Sequence, residues 1–339
     1  MYVEGIDIFG AIRFLQEASR SGKSHIHQCM FPGCEGQAID SHSQSEGMSL
    51  SHIAINGEVM CVANAPEKEF ADFSSAAIHT SGIFHAPISR ASVFRGFCGT
   101  ACRNHDKKCF ANIEDCLLEV GRYDQVLSFW RRTWAYKIRT MEECCWGQSH
   151  LINNLLALNR NRPFLHPIDT ISRQIEALKC QYYAHSWDVS FLDDISFEWM
   201  AVKGNIRFSD ATIYPLIDEN EHSEWLRICD AEKRSYHIPS CAFCVVPGDC
   251  YSHLILMWRK DEAEFMSRIL EIFVSKSPTA VSTVVNRLCF TGSKSFCMSP
   301  TFWAELPDVK QDAVKEGWTW PRKQHKVPSI IPAEHCVAI

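Results

Sequence analysis

Long apolar runs are missing from this sequence. No stretch approaches the ~18 apolar residues needed to cross a bilayer, so a membrane-spanning chain is not expected. The first residues also lack the apolar core of a secretory leader, and acidic Glu4 and Asp7 stand there instead. There is no excess of positive charge: the formal net charge is −6, which argues against a uniformly basic nucleic-acid binder while leaving room for a local basic face. No internal repeat is evident. With 46% hydrophobic and 22% charged residues the composition is that of a globular protein, so looseness is expected only in the last ~15 residues.

Cysteine, by contrast, is abundant: 17 residues scattered from Cys29 to Cys336. Without a leader these are expected to be reduced thiols in a cytoplasmic protein, a few of them on metal, rather than a disulfide scaffold. The last four residues, Cys336-Val-Ala-Ile, match a prenylation box, and a four-residue coincidence is the expected explanation.

Two short-spaced groups carry the chemistry. Cys29-Met-Phe-Pro-Gly-Cys34 places two thiols around a tight Pro-Gly turn, as in a zinc knuckle. The stretch Phe94–Glu114 holds Cys98, Cys102 and His105, with His105-Asp106 opening a helix that is expected to run through Phe110, Ile113 and Leu117. Structural zinc takes four thiolate or imidazole ligands in tetrahedral array, and these residues supply them as two pairs. Cys-x-x-His is the tighter and commoner spacing, so Cys102 is the expected third ligand and Cys98 the alternative. Between the groups, Leu50–Val62 reads as a hairpin on Asn56-Gly57, both of which tolerate positive φ.

Further along, residues 112–160 are helical in pattern, with Gly121 and Gly147 as interruptions and an apolar stripe of Phe129, Trp130, Trp134 and Ile138. Arg122, Arg131, Arg132, Lys137, Arg139, Arg160 and Arg162 face only three acids, Asp124, Glu142 and Glu143. Interleaved with aromatics, such a stretch could meet phosphates and bases of DNA or RNA, or could be a solvated helical face. From Phe197 the pattern changes to strands, with a helix at Ala263–Phe273 and a strand at Leu288–Phe290. Cys241, Cys244, Cys250 and His253 could make a second metal site, but strand spacing puts 241 and 244 on opposite faces, so buried structural thiols are expected there.

The expected fold class is α+β. An N-terminal zinc-binding hairpin-plus-helix module covers 1–115, a helical region 116–195, and an α+β domain 196–323, followed by a loose tail at 324–339.

The order of knuckle, Asp40-Ser41-His42, hairpin and His105-Asp106 helix resembles treble-clef and HNH-type nuclease modules. That resemblance implies His42 as general base and Asp106 as a ligand to a catalytic Mg²⁺ or Mn²⁺, beside the structural Zn²⁺. Ser41 departs from it, standing where such nucleases carry a carboxylate or histidine. His42 as a buttress of the zinc fold is the competing expectation.

More widely, Cys29, Cys34, Ala38, Ile39, Ser41, His42, Leu50, Ile53, Gly57 and Val59 resemble a motif of a largely uncharacterised bacterial family. The match continues at Gly96, Phe97, Cys98, Cys102, His105, Asp106, Phe110, Ile113 and Glu114, and again at Ser299, Pro300, Trp303 and Leu306. It implies a bacterial cytoplasmic protein with a zinc module. The two functions carried forward are a zinc protein acting on nucleic acid, with Arg131, Arg132, Lys137 and Arg139 as contacts and metal-dependent endonuclease activity in defence, and a non-catalytic zinc-stabilised protein that binds a partner.

Overall fold

The computed structural model describes residues 28–31, 33–64, 81–100, 103–114, 116–139, 195–216, 240–290, 295–319 and 329–339. Helix and sheet are mixed. In chain order the strands are β1 (Asp40–His42), β2 (Glu58–Asn64), β3 (Ser81–Pro87), β4 (Val93–Arg95), β5 (Gly99–Thr100), β6 (Arg103–Asn104), β7 (Ile195–Lys203), β8 (Phe208–Pro215), β9 (Ser240–Val246), β10 (Tyr251–Arg259) and β11 (Cys297–Met298). The helices are α1 (His105–Glu114), α2 (residues 123–139), α3 (Ala263–Val274), α4 (Pro278–Phe290), α5 (Pro300–Glu305) and α6 (Asp308–Thr319).

Seven strands form one antiparallel sheet in the order β3-β2-β11-β8-β9-β10-β7, with β1-β4 and β5-β6 as small satellite ladders. Strand β11 joins the two halves: Cys297 lies opposite Cys61 of β2 on one side and Ser209 of β8 on the other. The sheet thus crosses the divisions expected at residues 115 and 195. A two-residue strand suffices because its backbone groups are shared with neighbours on both sides.

Period-two alternation splits β9 and β10 between two cores. Cys241, Phe243, Val245, Leu254, Leu256 and Trp258 face a core filled by α3 and α4 and by Ile330, Ile331 and Cys336. Ala242, Cys244, Val246, Ile255 and Met257 face the other, built from α1, α2 and the Cys29–Cys34 turn. The two cysteines of the Cys241-x-x-Cys244 pair are therefore separated by the sheet. Burial pushes the Cys244 thiol up to about 12, as suits an inert core group.

Helix α2 docks with its apolar stripe inward: Trp130, Trp134 and Ile138 are buried. Gly121 turns the chain at φ +87 between α1 and α2. Gln125, fully buried, donates to the carbonyls of Asn112 and Leu117 and accepts from the Glu119 amide, which fixes α2 to the end of α1.

Several local expectations are corrected. Asn56 (φ 53) and Gly57 (φ 77) do make the tight turn, but Leu50–His52 is a 3-10 turn, and only Ile55 bridges Glu58 before it. The long partner of β2 is β3 instead, so the hairpin is not Leu50–Val62. Helix α1 stops at Glu114, leaving Leu117 exposed. Leu288–Phe290 is the last turn of α4, not a strand, because α4 buries Val281, Val284, Val285 and Leu288 at helical spacing.

The end of the chain is docked where looseness was expected. Ile339 donates to the Ala201 carbonyl and Val337 accepts from the Lys203 amide, so residues 337–339 cover the open edge of β7. Cys336 is fully buried in the core beside Ile330 and Ile331. Among the described residues no helix is long and apolar enough to cross a membrane.

Candidate metal centre

Four side chains converge beside β5 and the start of α1. One ligand atom each from Cys29, Cys34, Cys98 and His105 lies within 4.8 Å of the others, and all four residues are buried. The Sγ atoms of Cys34 and Cys98 are 3.8 Å apart. His105 Nδ1 lies 3.5 Å from Cys29 Sγ and 3.3 Å from Cys98 Sγ. A tetrahedral ion with metal–sulfur bonds of about 2.3 Å and metal–nitrogen bonds of about 2.05 Å requires edges of about 3.8 Å and 3.5 Å. The set therefore fits a metal ion such as zinc by donor chemistry and by size.

The surrounding backbone suits thiolates. The amides of Phe31 and Cys98 point at Cys29 Sγ, at 3.5 and 3.3 Å, and the Gly36 amide at Cys34 Sγ, at 3.4 Å. Burial pushes the Cys29 thiol up to about 12, against the pull of the Phe31 and Cys98 amides. A bound dication would supply the charge that keeps such a thiol deprotonated. Phe31 stacks flat on the His105 ring, with centroids 3.9 Å apart, and holds its orientation. Gly36 is needed for space: a Cβ there would stand 3.2 Å from Cys34 Sγ and 3.3 Å from Cys98 Cβ.

The elements explain the convergence. The 29–34 turn is closed by the Cys34 amide on the Phe31 carbonyl, and Cys29 is tied to Gly36 across it. Met30 donates to the Gly96 carbonyl, which brings the turn beside Cys98. The β5-β6 ladder then returns the chain so that His105 opens α1 facing Cys98. Cys98 thus takes the place for which Cys102 was expected; Cys102 itself lies outside the described residues. The β5-β6 hairpin sets the distance from Cys98 to His105.

The two residues singled out for catalysis are placed differently. In β1 the alternation turns Ser41 inward, and its hydroxyl donates to Asp106 Oδ1 at 2.6 Å. Asp106 is pushed above the usual carboxylate range by burial, which the Ser41 hydrogen bond and the nearby Arg132 and His42 partly offset. His42 Nε2 meets the Ile88 carbonyl at 3.1 Å. Asp40 pairs with Arg95 across the β1-β4 ladder, at 3.3 Å.

The basic stripe of α2 is partly spent inside the protein. Arg132 is buried; it pairs with Glu114 and lies over the Phe110 ring, 4.3 Å from its centroid. Arg139, also buried, donates to the Gln28 carbonyl at 2.8 Å. Arg122 pairs with Glu119 and Asp124 at the helix start.

Sequence reasoning missed the polar layer below the metal centre. Ser45 donates to Glu114 at 2.7 Å, while Gln44 and Ser92 both donate to the Ser295 carbonyl, which ties the module to the sheet. Its one sequence trace was the serine-rich run Ser41–Ser49, in which Ser41, Ser43, Ser45 and Ser49 all prove buried. No family model, curated protein or solved structure matches this chain.

Proposed function

We propose that Cys29, Cys34, Cys98 and His105 hold one structural Zn²⁺ in a treble-clef-like arrangement, and that the protein is a non-catalytic, zinc-stabilised interaction protein of a reducing compartment such as the cytoplasm. The observation that carries this reading is the closed, buried set of four soft donors. Catalytic zinc sites keep a position open for water, whereas structural sites fill all four with protein ligands. The ion would link the 29–34 turn, the 96–100 segment and α1. Its contribution is to folding: the chelated protein should lose the N-terminal module first. Metal analysis of protein purified without added metal, with thermal melting before and after a strong chelator, tests this. One zinc per chain and a large fall in melting temperature are expected. Zinc content well below stoichiometric, with an unchanged melt, would overturn it.

One observation favours a second reading. The Asp106 carboxylate lies next to the last ligand and within electrostatic reach of His42 and Arg132. On that reading Asp106 would hold Mg²⁺ or Mn²⁺, His42 would take a proton from water, and Arg131, Arg132, Lys137 and Arg139 would steer DNA or RNA. The internal engagement of Arg132 and Arg139 weighs against it. Plasmid nicking that requires Mg²⁺ or Mn²⁺ and disappears in His42→Ala would establish the nuclease; equal traces from both proteins would dismiss it.

A further inference from the structure

Cys61 and Cys297 are direct register partners across the antiparallel β2-β11 pair. Directly opposed residues in such a pair have Cα atoms about 4.5–5.5 Å apart, inside the range a disulfide needs. Both side chains point to the same side of the sheet, into one cluster with Leu50, Ile53, Val59 and Ala91. Both are buried and both thiols are free. Ser92 Oγ lies 3.2 Å from Cys297 Sγ and gives the second sulfur a polar neighbour in an otherwise apolar pocket.

We propose that Cys61 and Cys297 are a redox site, closing to a disulfide that locks the β2-β3 hairpin onto the rest of the sheet. The position gives the bond its consequence. Strand β11 is two residues long and joins the two halves of the sheet, so the S–S link falls across the shortest part of the ladder. A hydrogen bond from the Cys297 thiol favours the Cys61 thiolate and holds it below the ordinary thiol value against the opposing effect of burial, so Cys61 is the attacking sulfur. The oxidant is a small peroxide, since bulky disulfides cannot reach a buried thiol. Cys61 thiolate attacks one peroxide oxygen; the S–O bond forms, the O–O bond breaks and hydroxide leaves. Hydroxide takes the Cys297 proton and becomes water. The Cys297 sulfur then attacks the Cys61 sulfenic sulfur, and the expelled hydroxyl leaves as a second water once protonated. The two thiols lose two electrons and hydrogen peroxide gains them.

The test uses the full chain with its metal. Protein is treated with hydrogen peroxide, quenched by alkylation in denaturant and digested without reductant, with a guanidinium-unfolded sample treated in parallel. A linked peptide pair carrying Cys61 and Cys297, dominant in the folded sample and diluted among other pairings in the unfolded one, is expected. Three results would overturn the proposal: both residues recovered as alkylated thiols after the exposed Cys250 is fully oxidised, either one linked to a different cysteine, or Cys61 carried to a sulfinic acid without pairing.

Discussion

Cys98 and His105 meet with Sγ and Nδ1 3.3 Å apart, brought together by the two-stranded turn of β5 and β6. With Cys29 and Cys34 they make a four-donor set among the described residues. Cys98→Ser should therefore abolish stoichiometric zinc binding, while Cys102→Ser should retain one ion per chain. Metal analysis of the two purified variants decides between them, and zinc loss from Cys102→Ser alone would show the assignment to be wrong.

The Arg132–Glu114 pair, with a buried guanidinium and a half-buried carboxylate, should be costly to break from one side. Arg132→Met takes away the guanidinium on the inner side of the half-buried Glu114 carboxylate and leaves it the Ser45 hydrogen bond. A loss of about 2 kcal/mol is expected, with much of it recovered in the double variant Arg132→Met/Glu114→Gln. Denaturant titrations of both singles and the double measure the coupling. Additive losses would mean that the pair contributes no specific interaction.

Asn286 clamps the C-terminal segment. Its Oδ1 accepts from the amides of Ile330 and Ile331, at 2.7 and 2.8 Å, and its Nδ2 donates to the Ile331 carbonyl at 2.9 Å. Leucine is similar in size but satisfies none of these groups, so Asn286→Leu should cost about 3 kcal/mol. Amide exchange in 330–339 should accelerate more than exchange in β9, which hydrogen-exchange mass spectrometry can read. Equal acceleration in both would mean that the clamp is not local.

His253 provides a pH test. Its Nδ1 accepts from Trp199 Nε1 at 3.1 Å, and burial holds its pKa below the ordinary imidazole value. A lowered folded-state value means that the unfolded chain binds the proton more readily. The histidine's contribution is therefore intact above the unfolded value of about 6.5 and is lost as pH falls through the folded value, at no more than about 1.4 kcal/mol per pH unit. His253→Gln keeps an acceptor for Trp199 without the titration, so stability between pH 7 and pH 5 should fall less in the variant than in wild type. Parallel slopes would place the acid sensitivity elsewhere.

Those parts of the molecule that depend on near neighbours were legible in the residues. The knuckle at Cys29–Cys34, the positive-φ turn at Asn56-Gly57, the helix opened by His105 and the opposite facing of Cys241 and Cys244 follow from turn chemistry and from the periods of helix and strand. Those that depend on remote partners were not. That Cys98 meets His105, that Ser41 rather than His42 donates to Asp106, that Arg132 turns inward, and that β11 joins β2 to β8 were settled by tertiary packing. Local backbone preference is fixed by a few adjoining side chains. Partner choice between distant segments is fixed by which arrangement buries apolar surface while pairing buried polar side chains such as Ser41 with Asp106 and Arg132 with Glu114, and that depends on the folded chain as a whole.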